Sequence, residues 1–154
     1  MAVNTVTHLN FRGNARQALE FYHSVFGGNL VIATYADFGV PKDTPDADKV
    51  VWGQVAADNG FQVMAYDVPS IGQSPQLTIP VTRREHGMTI TQEAFFISLR
   101  GESVNEIGVL WEKLSAGAAV IEPIAQSPWA QLFGMLTDRF GVTWVVDVVN
   151  QYNG

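Results

Sequence analysis

Leu9-Asn10-Phe11-Arg12-Gly13 and Ile97-Ser98-Leu99-Arg100-Gly101 are each apolar at alternate positions and lie 88 positions apart. Alternation with period two predicts a half-buried strand. A helix signal follows each. The first has Asn14 as N-cap with Gln17 three residues on, an apolar face of Ala18, Leu19, Tyr22 and Phe26, and a Gly27-Gly28 stop. The second opens on a capping box, Ser103 with Glu106, carries Ile107, Leu110, Trp111 and Leu114 on one face, and ends at Gly117.

The later parts of the two halves match at a shorter offset of 81. Trp52-Gly53-Gln54-Val55 stands against Phe133-Gly134-Met135-Leu136, and Asn59-Gly60-Phe61-Gln62-Val63-Met64 against Phe140-Gly141-Val142-Thr143-Trp144-Val145. Both read as strand, glycine turn, strand. The first half is longer by a turn-rich loop, Ala36 to Lys49, with two prolines and four aspartates. Val31–Tyr35 and Ala118–Glu122 supply one further strand to each half.

The chain therefore reads as α+β, one domain of 154 residues made of two paired βαβββ modules. Module one takes 1–67, a linker 68–92 and module two 93–150. Leu77–Thr82 is a candidate extra strand, confined to a sheet edge by Pro80. One helix covers one face of a four-stranded sheet. The two helix-free faces are then expected to form one curved mixed sheet around a cavity, with the helices outside.

Composition narrows the function. Nine Lys and Arg against fifteen Asp and Glu give a formal charge of −6, with no long basic run, so nucleic acid is a poor partner. No stretch approaches the roughly 18–20 apolar residues of a membrane helix. The N-terminus lacks a signal peptide pattern, which points to the cytoplasm. There are no cysteines, so thiolate metal sites, cysteine nucleophiles and iron–sulfur clusters are out. Phosphate-binding glycine loops and the GxSxG elbow are also missing from the sequence.

The opening, His8-Leu9-Asn10-Phe11-Arg12-Gly13-Asn14-Ala15, then Ala18-Leu19-Glu20-Phe21-Tyr22 and Val25-Phe26-Gly27-Gly28, resembles the PhnB-like branch of the vicinal oxygen chelate superfamily. These are the glyoxalase, bleomycin resistance and dioxygenase proteins. The close, Thr137-Asp138-Arg139-Phe140-Gly141-Val142-Thr143-Trp144, resembles the ending of the same branch. The branch is often labelled similar to a demethylubiquinone methyltransferase, yet no glycine-rich cofactor turn follows a first parallel strand here. The resemblance implies a metal site with ligands from the first and last strand of each module. Carried over, those positions are His8, Met64, Phe96 and Val145. Only His8 suits a hard or borderline divalent ion. On this reading the metal site is lost, and no cofactor is expected.

Alternation from His8 places Asn10, Trp52, Gln54, Met64, Tyr66, Phe96, Ser98, Phe133, Met135, Val145 and Asp147 on the cavity side. Of these, His8, Asn10, Trp52, Gln54, Met64, Tyr66, Phe96, Phe133 and Val145 are the candidate ligand-binding residues. An aromatic and thioether wall with sparse polar groups suits a small, partly aromatic or hydrophobic molecule. Phe96, Val145 and Met135 read first as plain core packing. His8 is the candidate for proton transfer, since its ordinary pKa lies near 6.5. Two rivals stand beside ligand binding. One is a metal-assisted or His8-based lyase, isomerase or dioxygenase. The other is a non-catalytic association protein whose cavity is filled. A homodimer is expected in each case.

Overall fold

A computed structural model describes residues 2–73 and 80–150. The chain divides into two compact units, Met1–Pro75 and Gln76–Gly154. The first runs β1 (Thr7–Phe11), α1 (Ala15–Phe26), β2 (Asn29–Thr34), β3 (Val50–Ala56) and β4 (Gln62–Asp67). The second begins with a hairpin, β5 (Thr82–Glu85) and β6 (Met88–Thr91). It continues with β7 (Ile97–Gly101), α2 (Val104–Ser115), β8 (Ala119–Ser127), β9 (Ala130–Thr137) and β10 (Thr143–Val149).

The fold is α+β and each unit holds one βαβββ module. The strand orders are β1-β4-β3-β2 and β7-β10-β9-β8, so the same topology occurs twice. In each mixed sheet the first strand runs parallel to the last, and the other pairs are antiparallel. A parallel neighbour needs a crossover, which the helix supplies.

Burial alternates along β4, with Val63, Ala65 and Asp67 buried and Gln62, Met64 and Tyr66 half-buried. The buried set lies under α1, whose Ala15, Ala18, Leu19, Tyr22, Val25 and Phe26 are buried. The helix sits so close to β3 that a Cβ on Gly53 would stand 2.3 Å from Leu19 Cδ1. The second module repeats the arrangement, where a Cβ on Gly134 would meet the Trp111 ring at 2.9 Å. Both glycines clear a path for the helix at the equivalent place in the third strand.

The two helices start differently. Ser103 Oγ accepts the Glu106 amide at 3.2 Å, the cap that the sequence predicts. Asn14 makes no side-chain cap bond. Asp67, on β4, does that work. Its Oδ1 accepts the amides of Gly13 at 2.8 Å and Ala15 at 3.0 Å, while Oδ2 accepts the amide of Val50 at 3.0 Å. In the second module Asp138 instead holds the β9–β10 turn, accepting the Phe140 and Val142 amides and the Trp144 indole N–H.

The segment expected to be a linker holds the β5–β6 hairpin. Its turn places His86 at φ 50° and Gly87 at φ 75°, a left-handed pair that gives a tight two-residue connection. The expected edge strand at Leu77–Thr82 falls partly outside the described residues; β5 starts only at Thr82.

Candidate functional site

The helix-free face of the first sheet gathers six of the candidate residues. His8 and Asn10 come from β1, Trp52 and Gln54 from β3, and Met64 and Tyr66 from β4. Register sets His8 beside Met64, Asn10 beside Tyr66, and Gln54 beside Met64. Alternation along each strand turns these side chains away from α1.

His8 and Asn10 are exposed and bonded to each other, Nδ1 to Oδ1 at 3.0 Å. An amide oxygen only accepts, so His8 Nδ1 carries the hydrogen and donates it. In the neutral ring Nε2 then bears the lone pair, and among the described residues it takes no hydrogen bond. The Tyr66 ring meets the imidazole edge-on, with centroids 5.4 Å apart at 65°. Beside this polar pair lies a softer patch, where the Trp52 indole N–H donates to Met64 Sδ at 3.2 Å. Tyr35 donates its hydroxyl to the Asp67 carbonyl at 2.6 Å. Burial, with Tyr66 and Asp67 nearby, raises the Tyr35 pKa, so this phenol stays protonated as a donor.

The second sheet presents Ser98 and Arg100 from β7, Thr143, Val145 and Asp147 from β10, and Phe133, Met135 and Thr137 from β9 on its helix-free side. Asp147 is buried and holds Arg100 through two bonds of 2.9 Å, Nε to Oδ1 and Nη2 to Oδ2. That contact raises the Arg100 pKa further. The β5–β6 hairpin lies against the same face. Thr89 Oγ1 contacts Met135 Sδ at 3.7 Å, and the Arg84 guanidinium stands 5.4 Å from the centre of the Phe133 ring. Just after the hairpin, Glu93 accepts the Thr143 hydroxyl at 2.8 Å and also the Thr82 hydroxyl. Trp129 packs edge-on to Phe133 at 5.4 Å.

Phe96 needs a correction. Matching the Arg-Gly pairs makes Phe96 the counterpart of His8. The strand register instead sets Ser98 opposite Val145, as His8 stands opposite Met64. Phe96 precedes β7 and is half-buried. The cause is a shorter connection in the second module. Arg100 and Gly101 lie within β7, whereas Arg12 and Gly13 follow β1. Arg100 is kept in the strand by its grip on Asp147, and Gly101 leaves room for Ile107.

Two other histidines take structural places. His23 Nε2 bonds the Gly28 carbonyl at 3.0 Å at the end of α1, and His86 occupies the hairpin turn. Sequence reasoning also passed over Arg84, Glu122 and Asp67 as site-forming groups. Asp147 was visible, as a lone charge inside Val145-Val146-Asp147-Val148.

The donors do not fit a hard divalent ion. Of the positions in question, His8 gives one imidazole, the Met64 thioether is engaged by Trp52, Val145 has no lone pair, and Ser98 offers only a neutral hydroxyl. Among the described residues no three His, Cys, Asp or Glu side chains group as ligands. No helix among them is long and apolar enough to cross a membrane.

Residues 5–146 match the Glyoxalase/Bleomycin resistance protein/Dioxygenase superfamily. Protein YjdN of Escherichia coli (strain K12) is 25% identical over an alignment of 156 positions that covers 94% of each chain. The crystal structure of protein PA1353 from Pseudomonas aeruginosa superposes with a TM-score of 0.73 at 29% identity, covering 97% of this chain and 100% of that one. A PhnB protein from Bacillus cereus, described as a putative 3-demethylubiquinone-9 3-methyltransferase, superposes with a TM-score of 0.68 at 23% identity, covering 96% and 100%.

Proposed function

We propose a small-molecule binding role for this chain, which belongs to the Glyoxalase/Bleomycin resistance protein/Dioxygenase superfamily. The observation that carries it is the face built by His8, Asn10, Trp52, Gln54, Met64 and Tyr66. Rings and a thioether give broad, polarizable area for an aromatic or hydrophobic molecule. The His8 Nε2 lone pair accepts a hydrogen bond from a ligand hydroxyl or N–H, and Gln54 supplies a neutral amide. The set carries no fixed charge, so a neutral ligand fits it best. Fold alone does not give function, and the methyltransferase description of the Bacillus cereus protein is not carried over.

The test is native mass spectrometry of untagged protein, with elemental analysis of the same sample. The expected result is a metal-free homodimer carrying an organic mass, with retention reduced in Trp52→Ala. A transition metal at one per chain, lost in His8→Ala, would overturn the reading in favour of a metal-assisted lyase, isomerase or dioxygenase. Bare protein that also fails to bind a neutral aromatic probe such as naphthol would overturn it in favour of an association protein.

A further inference from the structure

Two arginines stand on the helix-free side of the second module, and they differ in one respect. Arg100 presents Nε–H and Nη2–H to a carboxylate, and Asp147 fills that edge with two 2.9 Å bonds. Arg84 has the same edge without a hydrogen bond among the described residues. Its Nη1 donates to Thr89 Oγ1 at 2.9 Å, but its buried Nε has no hydrogen-bond partner, and Nη2 makes no hydrogen bond among the described residues. Glu122 Oε2 lies 3.9 Å from Nε, beyond hydrogen-bonding reach.

A guanidinium in that state has unmet donors of defined geometry. It is planar, permanently charged and forked to match a carboxylate, and its side chain is only 15% exposed. A buried donor without a partner is costly, so a ligand that satisfies it gains more than it would at a solvated arginine. Surroundings specify the rest of the ligand. Phe133 lies under the guanidinium, and the half-exposed Trp129 stands edge-on to Phe133. Glu122, with its side chain 40% exposed, has the freedom to turn outward and yield its place.

We propose that Arg84 and Phe133 form a binding site for a small aromatic carboxylate. The carboxylate takes the Nε–H and Nη2–H edge of Arg84, and its ring packs against Phe133 and the half-exposed Trp129. Glu122 is the competitor for that edge and sets how tightly the ligand is held. The site belongs wholly to the second unit, so it goes beyond the reading of the first module's face and does not depend on it.

The test uses benzoate as probe and benzamide as its neutral isostere, followed by nitrogen-15 spectra of arginine Nε–H groups and by calorimetry. Benzoate is expected to shift the Arg84 Nε–H resonance, with benzamide weaker by about tenfold or more. Arg84→Gln abolishes the binding. Glu122→Gln removes the competing carboxylate and tightens benzoate by about three- to tenfold. Should Arg84→Gln fail to fold, the Glu122→Gln protein still decides. If benzoate leaves its Arg84 Nε–H unmoved while the backbone amide spectrum stays native, the proposal is wrong. It is equally wrong if benzamide binds as well as benzoate. Tryptophan fluorescence of Trp52→Phe against wild type reports the first module's face separately, so either reading can fail alone.

Discussion

Asp67, at the last position of β4, holds the amide of Ala15 at the first position of α1 with a 3.0 Å bond across 52 residues of sequence. The same carboxylate takes the Gly13 and Val50 amides, so three segments converge on one buried side chain. Asp67→Ala leaves three donors unsatisfied and is expected to cost about 3–5 kcal/mol in chemical denaturation. Asp67→Asn, which keeps one oxygen acceptor, is expected to cost distinctly less. Equal costs would show that the bonds to the retained oxygen contribute nothing.

Gly53 and Leu19 set the second prediction. The Cβ of Gly53→Ala would collide with a fully buried side chain, and overpacking of this kind costs about 1–3 kcal/mol. Combined with Leu19→Ala, the Gly53→Ala penalty should shrink, because the colliding methyl group is gone. A double-mutant cycle measures this coupling, and strict additivity would contradict the packing described.

Arg100 and Asp147 are unequal partners. Asp147 is 5% exposed, while the Arg100 side chain is 60% exposed. Removing the arginine strands a buried carboxylate; removing the carboxylate returns the arginine to water. Arg100→Ala is therefore expected to destabilise by about 1–3 kcal/mol, and Asp147→Asn by less. Urea melts of both variants at neutral pH decide the order.

Asp46 gives a pH signature. The Ser70 hydroxyl and Lys49, with the Ser70 amide, hold its carboxyl down to about 2. A folded pKa below the unfolded value means the carboxylate form favours the fold. That contribution is complete above about pH 4 and is lost as pH falls towards 2. Carboxyl carbon-13 titration should show Asp46 titrating near 2, and Ser70→Ala should move it upward. An unchanged midpoint in Ser70→Ala would remove the Ser70 bonds as its cause.

His8 should be found as the Nδ1–H tautomer when neutral, fixed by Asn10. Long-range proton–nitrogen spectra distinguish the two tautomers. Asn10→Leu is expected to release the preference and to weaken any ligand that donates to Nε2. A wild-type imidazole with its hydrogen on Nε2 would contradict the acceptor role assigned to that nitrogen.

Period-two alternation was enough to read the faces of β1, β3, β4, β9 and β10, because one side of each packs under a helix. The face of His8, Asn10, Trp52, Gln54, Met64 and Tyr66 follows from that alone. Other features left no local trace. Asp67 caps a helix far from it in sequence, so Asn14, at the cap position itself, drew the assignment instead. The β5–β6 hairpin reads Thr-Arg-Arg-Glu, which has no apolar position, and Met-Thr-Ile-Thr, whose alternation covers only two apolar residues. Its approach to β9 depends on Arg84 and Thr89, whose partners Phe133 and Met135 lie more than forty residues on. Phe96 was misplaced because the Arg-Gly match sets the halves 88 positions apart, whereas the strand register sets His8 and Ser98, 90 apart, at equivalent places.

Gly53 and Gly134 occupy equivalent places under the two helices. The same notch in the third strand receives a leucine methyl in one module and a tryptophan ring in the other. What the two halves share is the hollow, and what fills it has been free to change. Exchanging the helices between modules should therefore fail on the size of this one side chain before it fails on anything else, and a chimera carrying the native leucine or tryptophan at the crossing is the one to build.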